Sequence, residues 1–396
     1  MFLKVITQFC RIFVGALFIF SGGVKLIDPV GTQIKMEEYF EVFAQAFHPA
    51  FEHLVPLALP IAVIMCVAEV VLGVALLLFY RMRITTWMLL LIMIFFTFLT
   101  GYTALGLHAK ENPDTQFALR FAQFAGVAAP SDINAVSDCG CFGDFIKLRP
   151  WQSFLKDIIL LFPVLFLFVR NRKLESEFKD SVGHFFVSIS LIASLWFAMD
   201  AIWHLPRIDF RPYKIGADIP ANMKPTETLR FLYTMERNGE KKEFTEYPTD
   251  TTWKYVSMDI ANPDAKPKIT DYSVWNDEGD FTQESFKGSK LFLVVRKADK
   301  VDPKSMNKIV QLIKNLNKLD GHKVDCVIMT SSDRASLEQL RHEAQIPVPY
   351  YYADGTVLKT IMRSNVGLWF LKDGVVKGKW HGDDCPDLSD VLERAK

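Results

Sequence analysis

Met88-Leu-Leu-Leu-Ile-Met-Ile-Phe-Phe-Thr-Phe-Leu99 carries no charge from end to end. Runs of this kind are rare outside lipid, where nothing polar is needed on any face of the helix. The run is the middle of an apolar stretch, Ile84–Gly106. Four more flank it: Ile6–Ile27, Pro56–Tyr80, Gln152–Val169 and His184–Trp203. Each has about 18–25 residues, enough to cross about 30 Å of hydrocarbon at 1.5 Å per residue. The sequence therefore predicts five crossings. No small-residue cleavage site follows the first stretch, so it is expected to stay as an anchor.

Charge divides the chain in two. Residues 1–205 hold 31 of the 90 Asp, Glu, Lys and Arg residues, and residues 206–396 hold the other 59. The expected organisation is a membrane domain over 1–205, a linker with a small β segment over 206–267, and a soluble domain over 268–396. Acidic and basic residues balance at 45 each. That balance argues against a nucleic-acid partner, which selects a net basic face.

Lys and Arg near helix ends set orientation. Lys4 and Arg11, then Arg81 and Arg83, then Arg170, Arg172, Lys173 and Lys179 fall on one side if there are five crossings. That side is expected to be the cytoplasm of a bacterial inner membrane, with the N-terminus inside. The acidic loop 28–55, the loop 107–150 and everything after Trp203 would face the periplasm.

Three charges within the spans stand out. Lys25 lies near enough to a helix end to snorkel to the interface. Arg11 and Glu69 lie deeper, and a pair between them would relieve two costly charges. Such a pair is read either as a lock between two helices or as part of proton or quinone chemistry.

Of six cysteines, Cys10 and Cys66 fall in membrane helices and Cys326 in a strand-like apolar run. Cys139, Cys141 and Cys385 are expected outside, where disulfides persist. Ser137-Asp138-Cys139-Gly140-Cys141-Phe142-Gly143-Asp144 is the sharpest chemical signal in the chain. Two thiols separated by one glycine can close on each other if the backbone turns at Gly140. The small ring would strain the bond and speed its exchange. Lys147 and Arg149 could lower a thiol pKa. A structural staple, including a bond to Cys385, is the competing reading. A metal site is disfavoured, since C-x-C is short for zinc and no adjacent histidine completes the ligands.

At these residues the membrane half resembles a known group. Arg11-Ile-Phe-Val-Gly15 through Ser21-Gly22-Gly-Val-Lys25-Leu-Ile-Asp28-Pro29, and Glu69-Val-Val-Leu-Gly73, look like DoxX-like membrane proteins. Cys139-Gly-Cys141-Phe-Gly143 is similar to the MauE branch of redox-associated membrane proteins. The resemblance covers about residues 5–170. It implies a four-helix bundle, with the fifth span a tether, and a link to thiol or quinone chemistry. The chain departs from the related DsbB-like bundles in having no C-x-x-C within a helix.

The second half alternates strand and helix patterns. Asn238-Gly239 and Asp373-Gly374 between alternating segments predict hairpins. Met306, Ile309, Val310, Ile313 and Leu316 fall at helical spacing within Pro303–Leu319. Residues 268–395 resemble the TlpA and peroxiredoxin-like thioredoxin-fold proteins. Two departures stand out: Val301-Asp-Pro-Lys-Ser305 lacks the expected C-x-x-C, and Ser364-Asn365-Val366 lacks the usual proline. The resemblance thus implies a fold kept as a binding module without its own dithiol chemistry.

Two functions follow as expectations. In one, Cys139 and Cys141 act as a redox dithiol, passing electrons between a periplasmic protein and a membrane quinone, with Arg11, Glu69 and Cys385 as structural or redox candidates. In the other, the chain is a non-enzymatic scaffold whose soluble domain grips a partner protein. Small-molecule transport is a distant third.

Overall fold

The computed structural model describes residues 2–136, 140, 142–173, 180–319 and 324–396. The chain forms two compact units, divided after Asp209.

Among the described residues of the first unit, five helical segments are long and apolar enough to cross a membrane. They are Phe2–Ile27, Pro49–Leu77, Met82–Glu111, Pro150–Arg170 and Asp180–Trp203. In chain order the α-helices are α1 (Phe2–Ile27), α2 (Pro29–Ala46), α3 (Ala58–Leu77), α4 (Met82–Glu111), α5 (Gln116–Phe124), α6 (Pro150–Arg170) and α7 (Asp180–Trp203). The segment before α3, Pro49–Leu57, is 3₁₀.

Glycines set how α1 and α3 meet. A β-carbon on Gly73 would come within 2.7 Å of the Gly15 carbonyl oxygen, and one on Gly22 within 2.9 Å of the Cys66 oxygen. Small residues let two backbones approach, which is how helices associate where lipid is as apolar as any side chain. Both contacts obey one antiparallel register. Seven residues forward on α1 match seven residues back on α3.

Two sequence expectations change here. The stretch 28–55 is helical rather than a loop. Asp28 caps α2 by accepting from the Gly31 amide at 3.0 Å, and Pro29 occupies its first turn. That is a favourable helix start. With α5 it builds an apolar cluster around Tyr39, Phe43, Tyr102 and Phe121. The fifth span also does more than tether: Ala198 of α7 is fully buried in a cluster with Leu26, Cys66 and Val67.

The second unit begins with the short helix α8 (Ile219–Asn222) and a three-stranded antiparallel sheet. Its strands are β1 (Phe231–Arg237), β2 (Glu240–Phe244) and β3 (Lys254–Ile260), in the order β2-β1-β3. Asn238 and Gly239 take φ of 52° and 85°, the left-handed pair that a two-residue hairpin needs.

A mixed seven-stranded sheet follows. It comprises β4 (Val274–Asn276), β5 (Gly279–Asp280), β6 (Ser289–Val295), β7 (Asp325–Thr330), β8 (Tyr350–Ala353), β9 (Val366–Lys372) and β10 (Val375–His381). The order is β10-β9-β6-β7-β8-β4-β5, with β6, β7 and β8 parallel. Helices α9 (Pro303–Asn317), α10 (Arg334–Ala344), α11 (Gly355–Ile361) and α12 (Leu388–Ala395) complete it. Six of the seven β6 residues are buried, as expected of a strand covered on both faces. Leu291, Leu293 and Val295 join the cluster of Ile309, Ile313 and Leu337. On the alternate face, Phe292 meets Trp369 at 5.6 Å between ring centroids.

The stretch read as a linker is part of this unit. Tyr213 and Ile219 are buried. The Gly216 amide donates to the Val376 oxygen, the Val376 amide to the Ala217 oxygen and the Ile219 amide to the Gly374 oxygen, at 2.8–3.0 Å. These bonds cover the open edge of β10, which would otherwise present unpaired backbone.

Candidate functional site

Cys139 and Cys141 lie outside the described residues. Gly140 and Phe142 are described and belong to the first unit. Gly140 adopts φ of +59°, the left-handed conformation that a bend at this glycine requires. A β-carbon there would meet Lys35 Cγ of α2 at 3.2 Å. The Gly143 amide donates to the Gly140 oxygen at 3.0 Å. Phe142 is buried, its ring 5.9 Å from Phe20 of α1 and 5.4 Å from Lys156 Nζ of α6. Gly140 and Phe142 therefore lie against α1, α2 and α6.

The unit interior holds ionisable groups. Glu69 accepts from Lys25 Nζ at 2.5 Å, with side chains only 2% and 7% exposed. This corrects the expected Arg11–Glu69 pair and the snorkelling Lys25. The glycine register explains it. Arg11, four residues before Gly15, faces Leu77, four residues after Gly73, and its Nη1 donates to the Leu77 oxygen at 3.0 Å. Its guanidinium carbon also lies 4.1 Å from the Phe79 ring. Glu69 is eight residues from Leu77, about 12 Å along the helix. Helical side chains lean toward their own N-termini, so in antiparallel helices Lys25 and Glu69 lean toward each other. Cys66, one turn before Glu69, directs its thiol to Thr32 Oγ1 at 3.8 Å.

A second acid escaped the sequence reading. Asp157 of α6 is 1% exposed, accepts from Lys156 Nζ at 2.5 Å and from the Thr100 hydroxyl of α4 at 2.9 Å. The signal was legible: two adjacent charges stand inside the apolar stretch Gln152–Val169. Their burial was not, because it depends on α4 packing against α6.

In the second unit, the start of α9 is where the sequence comparison placed a missing C-x-x-C. Asp302 caps it, accepting from the Lys304 amide at 3.1 Å. Asn365, just before β9, clamps the preceding loop. Its Nδ2 donates to the Lys297 and Lys300 oxygens at 2.9 and 2.8 Å, and its Oδ1 accepts from the Lys297 amide at 2.8 Å. Asn365→Ala is expected to lower stability by about 1 kcal/mol, since it removes three hydrogen bonds that hold a solvent-facing loop whose backbone groups water can then reach. The check is the unfolding midpoint of the full chain, with proteolysis reporting on residues 296–301. An unchanged midpoint and cleavage pattern would remove the clamp from the account.

The fold also gathers a serine, an aspartate and a histidine that the sequence did not suggest. Ser305 Oγ donates to Asp383 Oδ1 at 2.5 Å, and the Asp383 amide donates to His381 Nδ1 at 3.2 Å. The aspartate stands between the other two, so the histidine is not placed to take the serine proton. The arrangement ties the α9 start to the segment after β10 and is not a nucleophile–base pair.

The two thiols of this unit are muted. Burial pushes Cys326 up to about 12 and the half-buried Cys385 up to about 11. The thiolate is the reactive form, so a raised pKa slows reaction at neutral pH. Cys385 is expected to alkylate about 100-fold more slowly than an ordinary cysteine at pH 7, with the rate still climbing tenfold per pH unit through about pH 10. Iodoacetamide kinetics on the folded chain would read this, and a plateau below pH 9 would contradict it. Among the described residues, no three His, Cys, Asp or Glu side chains group closely enough to hold a metal ion.

Comparison with known families bears on parts of the chain. Residues 3–114 match the family described as methylamine utilisation protein MauE. The matched stretch runs from α1 almost to α5 and includes Lys25, Cys66, Glu69 and Thr100. The MauE resemblance thus holds for the first membrane helices. Residues 230–260 match a domain of unknown function, DUF8463, and coincide with the β1–β3 sheet. No curated protein and no solved structure matches the chain.

Proposed function

We propose that this membrane protein exchanges thiol–disulfide electrons through Cys139 and Cys141. A partner dithiol outside the membrane reduces the Cys139–Cys141 disulfide and leaves as a disulfide. The resulting dithiol then gives two electrons and two protons to a membrane quinone, re-forming the disulfide. The N-terminus is cytoplasmic and the second unit periplasmic in this reading, in a bacterial inner membrane. The MauE match over residues 3–114 supports a place among proteins named for methylamine utilisation.

The observation that carries the proposal is Gly140, whose left-handed turn between the two cysteines sits against α2. The test is peptide mapping of the non-reduced chain, thiol-blocked in native membranes. A Cys139–Cys141 link whose fraction falls when the quinone pool is held reduced is expected. Free alkylation of both thiols whatever the state of that pool would overturn the proposal, as would a reporter beyond residue 206 found in the cytoplasm.

Asn365 favours a second reading for the α/β unit. The strand order resembles the thioredoxin fold, yet the loop before α9 lacks cysteine and is clamped shut. A unit so arranged serves as a binding module in an assembly. Co-purification of a stable partner that survives replacement of both Cys139 and Cys141 would favour it over the redox proposal.

A further inference from the structure

The membrane unit buries more ionisable chemistry than a helix lock needs. Lys25 and Glu69 pair at 2.5 Å on one side of α4, and Lys25 Nζ lies 4.6 Å from the ring of Phe96 on that helix. One turn further along α4, the Thr100 hydroxyl donates to Asp157, which in turn accepts from Lys156. Lys156 is a quarter exposed, whereas Asp157, Glu69 and Lys25 are almost fully enclosed. One enclosed carboxylate is therefore reached from an accessible ammonium, and the other is paired with an ammonium as enclosed as itself.

Such an arrangement is costly to build. Each charge removed from water must recover several kcal/mol, and apolar side chains of similar volume hold helices together at least as well. Intramembrane ionisable groups that persist despite this cost mark proton or ion chemistry. Two features fit proton exchange. A close ammonium–carboxylate pair in a low-dielectric site can pass its proton across and become a neutral amine and acid. The Thr100 hydroxyl has alternative acceptors within reach, the Phe96 and Thr97 oxygens at 2.9 and 3.4 Å, so its proton can reorient.

We propose that Glu69 and Asp157, beside α4 with Lys25 and Lys156, are proton-exchanging groups within the membrane. Asp157 takes up and releases its proton through Lys156, and neither role depends on whether Cys139 and Cys141 carry electrons. Lys25 pairs with Glu69, and Glu69, Lys25 and Asp28 all lie near Cys66; beside Asp157 stands Lys156.

The test is infrared difference spectroscopy of the full chain in lipid, titrated between about pH 4 and 9. A carboxylic-acid C=O band is expected to grow and fade with pH and to shift in D₂O. Glu69→Gln or Asp157→Asn should remove part of it, and Lys156→Met should slow its hydrogen–deuterium exchange at least several-fold. If a variant fails to fold, Glu69→Asp and Asp157→Glu keep each carboxyl and should shift its band rather than remove it. A carboxyl band of the same amplitude in wild type, Glu69→Gln and Asp157→Asn would come from the exposed acids alone and overturn the proposal. So would a band in Lys156→Met that exchanges as fast as in the wild type. Neither result bears on the cysteine map.

Discussion

Lys25→Met is expected to destabilise the membrane unit by about 3–5 kcal/mol, because it leaves the buried Glu69 carboxyl without its ion-pair partner. Glu69 has a 2% exposed side chain and Lys25 as its ion-pair partner, so water cannot replace what is lost. Lys25→Met combined with Glu69→Leu should recover most of that stability, since removing both charges also removes the cost of burying them. The same cycle with Arg11→Met should show little coupling to Glu69, because Arg11 is held at Leu77 and Phe79. Unfolding in lipid or mild detergent measures all of these, and the coupling energy is the difference between the double variant and the two singles. Stronger coupling of Glu69 to Arg11 than to Lys25 would mean that the register of α1 and α3 is wrong by about two turns.

Trp369→Ala is the counterpart in the α/β unit, with an expected loss of about 3–5 kcal/mol from the cavity left by a core aromatic. Trp369 lies in the middle of β9 with no exposed surface, between Phe292 at 5.6 Å and Tyr213 and Tyr272 at 6.1 Å. Its indole N–H is buried without a hydrogen-bond partner. Trp369→Phe should therefore cost far less, about 1 kcal/mol or under, because loss of packing is offset by removal of an unsatisfied donor. Protease protection and thermal unfolding of the full chain follow both variants. Equal damage from Phe and Ala would show that the indole nitrogen is not a liability. Tyr213 shares this cluster, which binds the segment after Asp209 into the unit. Burial and the carboxylate of Asp271 hold its phenol well above the ordinary tyrosine range.

The hairpins at Asn238-Gly239 and Asp373-Gly374 were legible because two-residue turns demand φ > 0 at both positions, a local requirement. So was α9, whose apolar residues repeat at helical spacing. Helix α2 was missed because its own apolar content is moderate, and its buried face is defined only by α3, α4 and α5. The proline-containing stretch 210–224 reads as linker for a similar reason. Nothing local announces that residues 216–219 will pair with an edge strand nearly 160 residues later.

The candidate sites divide along the same line. Cys139 and Cys141 stand out as candidates because their spacing is itself the signal, whereas Asp383 meets Ser305 across 78 residues of chain. Sequence alone determined the five apolar spans, the charge asymmetry between the halves and the alternation of strand and helix, all of which depend on runs of neighbouring residues. Only the tertiary structure decided that Glu69 belongs to Lys25, that Asp157 is enclosed, and that Asn365 closes the loop before α9. Each of these depends on the offset between separate elements, and an offset of a few residues at 1.5 Å each is enough to exchange one charge partner for another.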